Sequence, residues 1–225
     1  MADIEKEKEM GHDSIKNLQP IRLLKPVFDH EGSLQQALEN RQTIRQISDR
    51  KLSLQELSNL LWAAGGVNRI TGPFGIPGRT AASASNSQEI DIYIAMEEAT
   101  YCYDAIHHQL VQVIGEDLRR MAIGAGQASF GDKAPVRLIY VADIHKLAHT
   151  AGYQEPGLQD PEVQKAYYFV DTGLIAGNVY LFAASQGLAC WFHNCNKPGL
   201  AGKLNLRSDQ RVLFGQTVGY PIKNN

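Results

Sequence analysis

From Pro161 to Ser185 the chain has helical composition and is apolar on most of its sides. A proline near the start and Gly187 just past the end bracket the stretch as one long helix. A helix that is apolar nearly all round needs cover on more than one face, so the fold must be built around it. Its most apolar run, Thr172 to Ala184, is interrupted by Asn178 and falls well short of the ~20 residues of a membrane span. Gly173 and Gly177, four residues apart, would let another element approach closely, whether a sheet of the same chain or a helix of a second subunit.

The rest of the chain must supply that cover. At 225 residues and 44% hydrophobic content it fits one domain with a sizeable core, residues 31–225, preceded by an arm over residues 1–30. Within the arm, Met1 to Gln19 is polar and Ile21 to His30 reads as an extended lead-in. Ser33 to Asn40 reads as a short helix that delivers Arg41. Ser53-Leu54-Gln55-Glu56 is a capping box, opening a helix with Leu54, Leu57, Leu60, Leu61 and Ala64 at helical spacing, which Gly65-Gly66 ends. Thr71 to Gly78, with three glycines and two prolines, is a loop. Strands are expected at Ile90–Ala95, Leu110–Ile114, Val136–Val141, Leu188–Phe192 and Arg211–Tyr220, a helix at Glu116–Gln127, and a loop at Gly152–Asp160. Helices and strands mix without strict βαβ alternation, which favours an α+β domain.

Two segments about forty residues apart carry the chemistry. Arg41-Gln42-Thr43-Ile44-Arg45 offers two guanidinium forks flanking a hydroxyl, a match to a phosphate or an anionic ring edge. Arg41 and Arg45 stand one turn apart if the preceding helix continues that far. Arg79 to Gln88 is a run of small, hydroxyl and amide residues before a strand, so backbone can approach a flat ligand closely. Alone, the arginine pair reads as a solvated face and the second segment as a polar loop before a strand; their conjunction is the signal.

Other patterns carry less. The net charge of −2 gives no general reason to bind nucleic acid, although Arg50 and Lys51 lie near Arg41 and Arg45. Three cysteines are too few for a disulfide scaffold, and Cys190 and Cys195 have CxxxxC rather than CxxC spacing. Met1 to Asp13 is charged and lacks an apolar signal core, so the expected location is the cytoplasm. His145 and His149 are spaced i, i+4, but Lys146 stands where a zinc protease needs glutamate, so no metal site is assigned. Gly124 to Ser129 nearly matches a dinucleotide fingerprint but closes a helical pattern instead of joining strand to helix.

Taken together, the motifs resemble the nitroreductase family. Arg41-x-Thr43-x-Arg45 is similar to its early Arg-x-Ser-x-Arg signature, and Leu57 to Gly66 to the helix that follows. Arg79 to Gln88 resembles Arg-Thr-x-Pro-Ser-Ala-x-Asn-x-Gln. Asp171-x-Gly173 through Asn178, Ala183-Ala184 and Gly187-Leu188 resemble its long central helix and next strand, and Val218 to Pro221 its terminal Gly-Tyr-Pro. The nearest branch is the compact one related to peptide azoline dehydrogenases. The chain departs from the pattern at Ala82, where proline is usual, at Gly177, often glutamine, and at Cys195, often glycine.

The resemblance implies a central mixed, mainly antiparallel sheet flanked by helices, and a homodimer that binds FMN noncovalently at its interface. By position, Arg41, Gln42 and Thr43 would serve the phosphate and ribityl end, and Arg45 the N1–C2 edge. Ser83, Ser85 and Asn86 would line the pyrimidine side, and His193-Asn194-Cys195 would pass backbone by N5. Lys223 would stand in for the basic phosphate ligands of larger relatives. The implied activity is ping-pong: NADH or NADPH gives a hydride to the flavin, and a small electron acceptor such as a nitroaromatic or quinone takes the electrons. The cofactor does the hard chemistry, so no catalytic side chain is assigned. The alternatives are a dehydrogenase of a specific peptide or metabolite, and a flavin-binding module without turnover.

Overall fold

A seven-stranded sheet carries the structure, a computed structural model that describes residues 19–27, 33–127, 134–151 and 159–222. The strands are β1 (Ile21–Arg22), β4 (Ile90–Ala95), β5 (Thr100–Asp104), β6 (Gln109–Ile114), β7 (Val136–Asp143), β8 (Ala189–His193) and β9 (Gln210–Gly219). They lie in the order β1-β6-β5-β4-β7-β9-β8. A separate two-stranded ribbon joins β2 (Val67–Arg69) and β3 (Gly78–Arg79). The helices are α1 (Leu34–Asn40), α2 (Leu54–Gly65), α3 (Ile144–Ala148), α4 (Pro161–Ser185) and α5 (Lys197–Lys203). The α+β class is as expected. Every pairing among the described residues is antiparallel, so the mixed character expected of the sheet is not seen there.

Period-two alternation divides the core. In β4, Ile92 and Ile94 join Leu57, Leu60 and Leu61 of α2 and Ile175, Val179 and Phe182 of α4, while Tyr93 and Ala95 face Leu118, Ala122 and Leu200. In β7, Leu138 and Tyr140 face the first layer, Ile139 and Val141 the second, and all eight residues are buried. The capping box forms as read: the Ser53 side chain accepts from Glu56 N–H and Glu56 reaches back to Ser53 N–H. The lead-in is strapped to α2, where Ser58 Oγ accepts from Leu24 N–H at 2.9 Å and Asn59 clasps the Val27 backbone.

Helix α4 has the bounds the sequence gives it, but the described residues cover one face only. Asp171, Thr172, Ile175, Ala176, Val179, Phe182 and Ala183 are buried, while Val170 and Leu174 remain 60% and 45% exposed. A hydrogen-bonded relay in the core fixes the buried face. Tyr140 OH donates to Gln216 Oε1, and Gln216 Nε2 donates to the Ala176 carbonyl at 3.2 Å and to Cys190 Sγ at 3.0 Å. Asn178 adds bonds to the carbonyls of Ala63 and Thr80, tying α4 to the end of α2. No described helix is long and apolar enough to cross a membrane.

The helix expected at Glu116–Gln127 does not form; the segment is turns, with a short 3-10 turn at Ala125–Gln127. Tertiary donors capture the carbonyls that a helix needs: Arg137 reaches Arg119 O, and Asn196 N–H reaches Met121 O. Leu118 and Ala122 are nonetheless buried against the sheet, so the apolar spacing is real but its backbone is not helical. Strand β5 and helix α5 carry no expectation from the sequence. The β5 alternation is regular, with Tyr101 and Tyr103 on one side and Cys102 on the other. Gly199 and Gly202 disfavour a helix at α5, and the Asn196 cap with buried Leu200 outweighs them. The polar arm before Gln19 lies outside the described residues, as does most of the loop at Gly152–Asp160.

Replacing Gln216 with Leu should destabilise the protein by about 2–3 kcal/mol, because Tyr140 OH loses its acceptor in a dry site. Adding Tyr140→Phe should recover much of that loss in urea denaturation. A double variant no more stable than the single one would remove the relay from this account.

Candidate functional site

Helix α1 stops at Asn40 because Arg41 turns extended (φ −62, ψ 115), so Arg41 to Arg45 is not the helical turn considered from the sequence. Extended backbone puts Arg41, Thr43 and Arg45 on one side. The segment runs beside the outer edge of β8, where Ile44 N–H donates to Cys190 O at 3.0 Å, and then meets the chain end, with Ser48 N–H on Tyr220 O at 2.8 Å. Two aromatic side chains form a platform for it. Arg41 lies over the Tyr180 ring at 5.7 Å and Arg45 over the Trp191 ring at 5.5 Å. Thr43 Oγ1 meets Tyr180 OH at 3.1 Å, and that hydroxyl accepts from Phe192 N–H at 2.9 Å. Neither guanidinium has a carboxylate partner among the described residues. Both are exposed, as are Gln42 and Thr43.

Next to this platform, β8 delivers His193, Asn194 and Cys195. The His193 ring is buried, with Nδ1 on Asn194 O at 2.9 Å and Nε2 on Thr217 Oγ1 at 2.7 Å. The carbonyl can only accept, so the proton sits on Nδ1 and Thr217 donates to Nε2. Burial lowers the His193 pKa to about 4, which keeps it neutral. Burial also pushes the thiols of Cys190 and Cys195 up to about 12 and about 11, so neither is a thiolate nucleophile at neutral pH. Asn194 is exposed. Side chains at 193 and 195 therefore turn inward, and what the segment offers a ligand is backbone.

Ser83, Ser85 and Asn86 form a second, separate place. The turn is held open in an unusual shape: Ser85, Asn86 and Gln88 have φ of 49°, 55° and 51°. Its polar side chains largely hold the turn itself. Ser83 Oγ accepts from Gln88 N–H at 3.0 Å, Asn86 Nδ2 donates to Ile76 O at 3.3 Å, and Gln88 bridges Asn86 Oδ1 and Pro77 O. Arg79 Nε steadies Gln88 Oε1 at 2.6 Å. Asp171 of α4 accepts from Ala84 N–H at 2.8 Å, and Thr150 donates to Ser85 O.

Asp171 and Tyr180, the α4 anchors of the two places, are about two and a half turns apart, or about 14 Å. They leave the helix on opposite flanks, with the uncovered face of Val170, Gly173, Leu174 and Gly177 between them. The two motifs therefore do not converge on each other through α4. Lys223 lies outside the described residues. Sequence reasoning missed Tyr180 and Trp191, which carry no local motif; Asp171 appeared only within the helix pattern. No group of three or more His, Cys, Asp or Glu among the described residues could hold a metal.

Comparison with known proteins bears on this arrangement. The sequence model of the nitroreductase family matches residues 38–220. A Methanocaldococcus jannaschii protein bearing the nitroreductase name is 30% identical over 165 residues, 70% of this chain and 76% of that one. A crystal structure from Ralstonia eutropha, also named for a nitroreductase, superposes with TM-score 0.77 at 30% identity, covering 93% of this chain and 92% of that one. The NADPH:FMN oxidoreductase of Vibrio harveyi, solved with NAD+, shares the fold at TM-score 0.59 and 19% identity, over 85% and 70% of the two chains.

Tyr180→Phe keeps the ring beneath Arg41 and removes the hydroxyl that joins Thr43 to Phe192 N–H. Amide exchange at Ile44 and Phe192 should quicken by about tenfold, equivalent to about 1.4 kcal/mol, while β4 and β7 stay protected. Unchanged exchange at both amides would show that the hydroxyl does not hold the segment.

Proposed function

The chain belongs to the nitroreductase family, and from that premise we propose that it is an FMN-dependent oxidoreductase. In this reading NADH or NADPH supplies the electrons, and a nitroaromatic, a quinone or a similar electron-poor small molecule receives them. The observation that carries the reading is the pair Arg41 and Arg45. Two exposed cations stand above aromatic rings, on one side of an extended segment, with no carboxylate in reach among the described residues. Such a pair fits a ligand that is flat and carries a phosphate.

FMN, when bound, supplies two-electron chemistry that no side chain here could perform. The protein's part is to bind and tune. Arg41 and Thr43 would hold the phosphate and ribityl end. Arg45 would stand by the N1–C2 edge, where a fixed cation favours negative charge. The Asn194 backbone would face N5, with the neutral His193 ring bracing it from within.

The same reading takes the working form as a homodimer. The apolar face of α4 that the described residues leave uncovered is a suitable contact, and Gly173 and Gly177 have no described neighbour within 4 Å of where a Cβ would stand. A second copy crossing that face would bring its Ser83–Asn86 turn toward the first copy's Arg41–Arg45 segment. This accounts for a motif pair that one chain keeps on opposite flanks of α4. An obligate interface of this kind buries more than about 2,000 Å².

Purified or reconstituted protein should show flavin absorbance and release FMN, not FAD, on denaturation. Arg41→Ala should weaken FMN binding by about 1.5–3 kcal/mol, and Arg45→Ala should also lower the flavin reduction potential. If both variants bind and reduce FMN as the parent does, the assignment of the arginines is wrong. Sedimentation should give a dimer whose dilution releases flavin. A monomer that keeps FMN and full NAD(P)H oxidation at nanomolar concentration would overturn the dimeric site.

A further inference from the structure

Beneath the Ser83–Asn86 turn lies a carboxyl pair that the reading above does not use. Glu89 opens the way into β4 and is fully buried. Ser87 Oγ donates to its Oε2 at 2.5 Å, and its backbone carbonyl accepts from Asp143 N–H at 2.8 Å. Its Oε1 has no donor among the described residues. What faces Glu89 is the carboxyl of Asp171 on α4, whose Oδ2 holds Ala84 N–H. Two carboxyl groups in contact, one with an oxygen that no N–H or O–H satisfies, is the arrangement expected when a proton lies between them.

The charged neighbours give Glu89 no other relief. A cavity of about 80 Å³ adjoins the pair, and its walls include Arg79, Asp91 and Lys146. Each cation there is already engaged: Arg79 of β3 with Gln88 Oε1 and Gly65 O, Lys146 of α3 with Asp91 of β4 at 2.5 Å. Arg207 is engaged with Asp143 at the end of β7. Burial, with the Asp171 charge beside it, raises the Glu89 carboxyl to about 7, and burial raises Asp171 also.

We infer that Glu89 and Asp171 are a proton-sharing positioning pair: one shared proton holds Asp171 on Ala84 N–H and thereby keeps the Ser83–Asn86 turn in its binding shape. The inference rests on the proposed role of that turn in holding FMN. The turn keeps two residues, Ser85 and Asn86, in the left-handed region and Gln88 follows as a third, so it needs an outside tether, and Asp171 and Thr150 supply it. When the shared proton leaves, two carboxylates face each other in a buried site and the tether is pushed apart. The sign follows from a folded pKa raised above the unfolded one. Stability is fully present below about pH 4.5 and is lost as pH rises through about 7.

The test is FMN affinity, read by flavin fluorescence between about pH 6 and about pH 8, in the wild type, Glu89→Gln and Ser87→Ala. The side-chain amide of the E89Q variant would mimic the protonated acid and donate to Asp171 permanently. The wild type should lose affinity by about tenfold over that range, and E89Q should stay near its tight end. S87A removes a donor that favours the ionised form, so its transition should move to higher pH. The ligand's phosphate ionises near pH 6 in all three proteins and, if anything, acts oppositely, so riboflavin serves as the phosphate-free probe. A flat wild-type profile, or an E89Q profile that parallels it, overturns the inference. Urea midpoints of the flavin-free protein separate this from failure of the FMN reading. The difference between wild type and E89Q should still titrate near pH 7 even if no flavin binds, and its absence also counts against the pair.

Discussion

A buried amide, Gln216, anchors α4 to the sheet, and where the functional groups sit depends on it. It takes the Tyr140 hydroxyl on one side and donates to the Ala176 carbonyl and Cys190 sulfur on the other, without access to water. Apolar packing alone would let a 25-residue helix slide over a face of Ile, Leu and Val, since such contacts have no direction. Hydrogen bonds do have direction, and an unmade one in this site is costly. The register of α4 is therefore specified by polar groups inside an apolar layer. Asp171 and Tyr180 inherit that register, and each holds one half of the candidate site.

This division of labour explains what could be read from the sequence. Helix α4 and the capping box of α2 are written in contiguous residues, and both form with the bounds expected. The strands β4, β7, β8 and β9 are likewise local patterns. Glu116–Gln127 fails as a helix because its carbonyls are claimed by Arg137 and Asn196, far away in sequence. The two site motifs are legible as residue types. Their surroundings are not: Tyr180 beneath Arg41, Trp191 beneath Arg45, and Glu89 against Asp171 are all juxtapositions made by the fold. Nor does local sequence show that Ser83 and Asn86 spend their polar groups on the turn itself, leaving mainly backbone toward a ligand.

The two halves differ in physical character. The Arg41–Arg45 half is solvent-facing, cationic and supported by aromatic rings. The Ser83–Asn86 half is compact and strained, and sits over buried acidic groups. In the proposed dimer, a ligand held between one copy's Arg41–Arg45 segment and the second copy's Ser83–Asn86 turn would meet positive charge at one end and a preformed backbone surface at the other. The arrangement suits a molecule with one anionic end and one flat, neutral end. It also places the sensitivity of the site to salt in one half and its sensitivity to pH in the other.

Among the described residues, strand β8 lies at the margin of the sheet, pairing with β9 on one side only. An exposed strand margin is a template on which other chains can add and aggregate. Here the Arg41–Ser48 segment runs along that margin, taking the Cys190 carbonyl and setting two guanidinium groups beside it. The residues that would draw an anion thus also screen the sheet from its own kind. Deleting this segment would remove a ligand contact and, at the same stroke, open an adhesive edge. Loss of solubility in such a deletion would then say nothing about whether the core still folds.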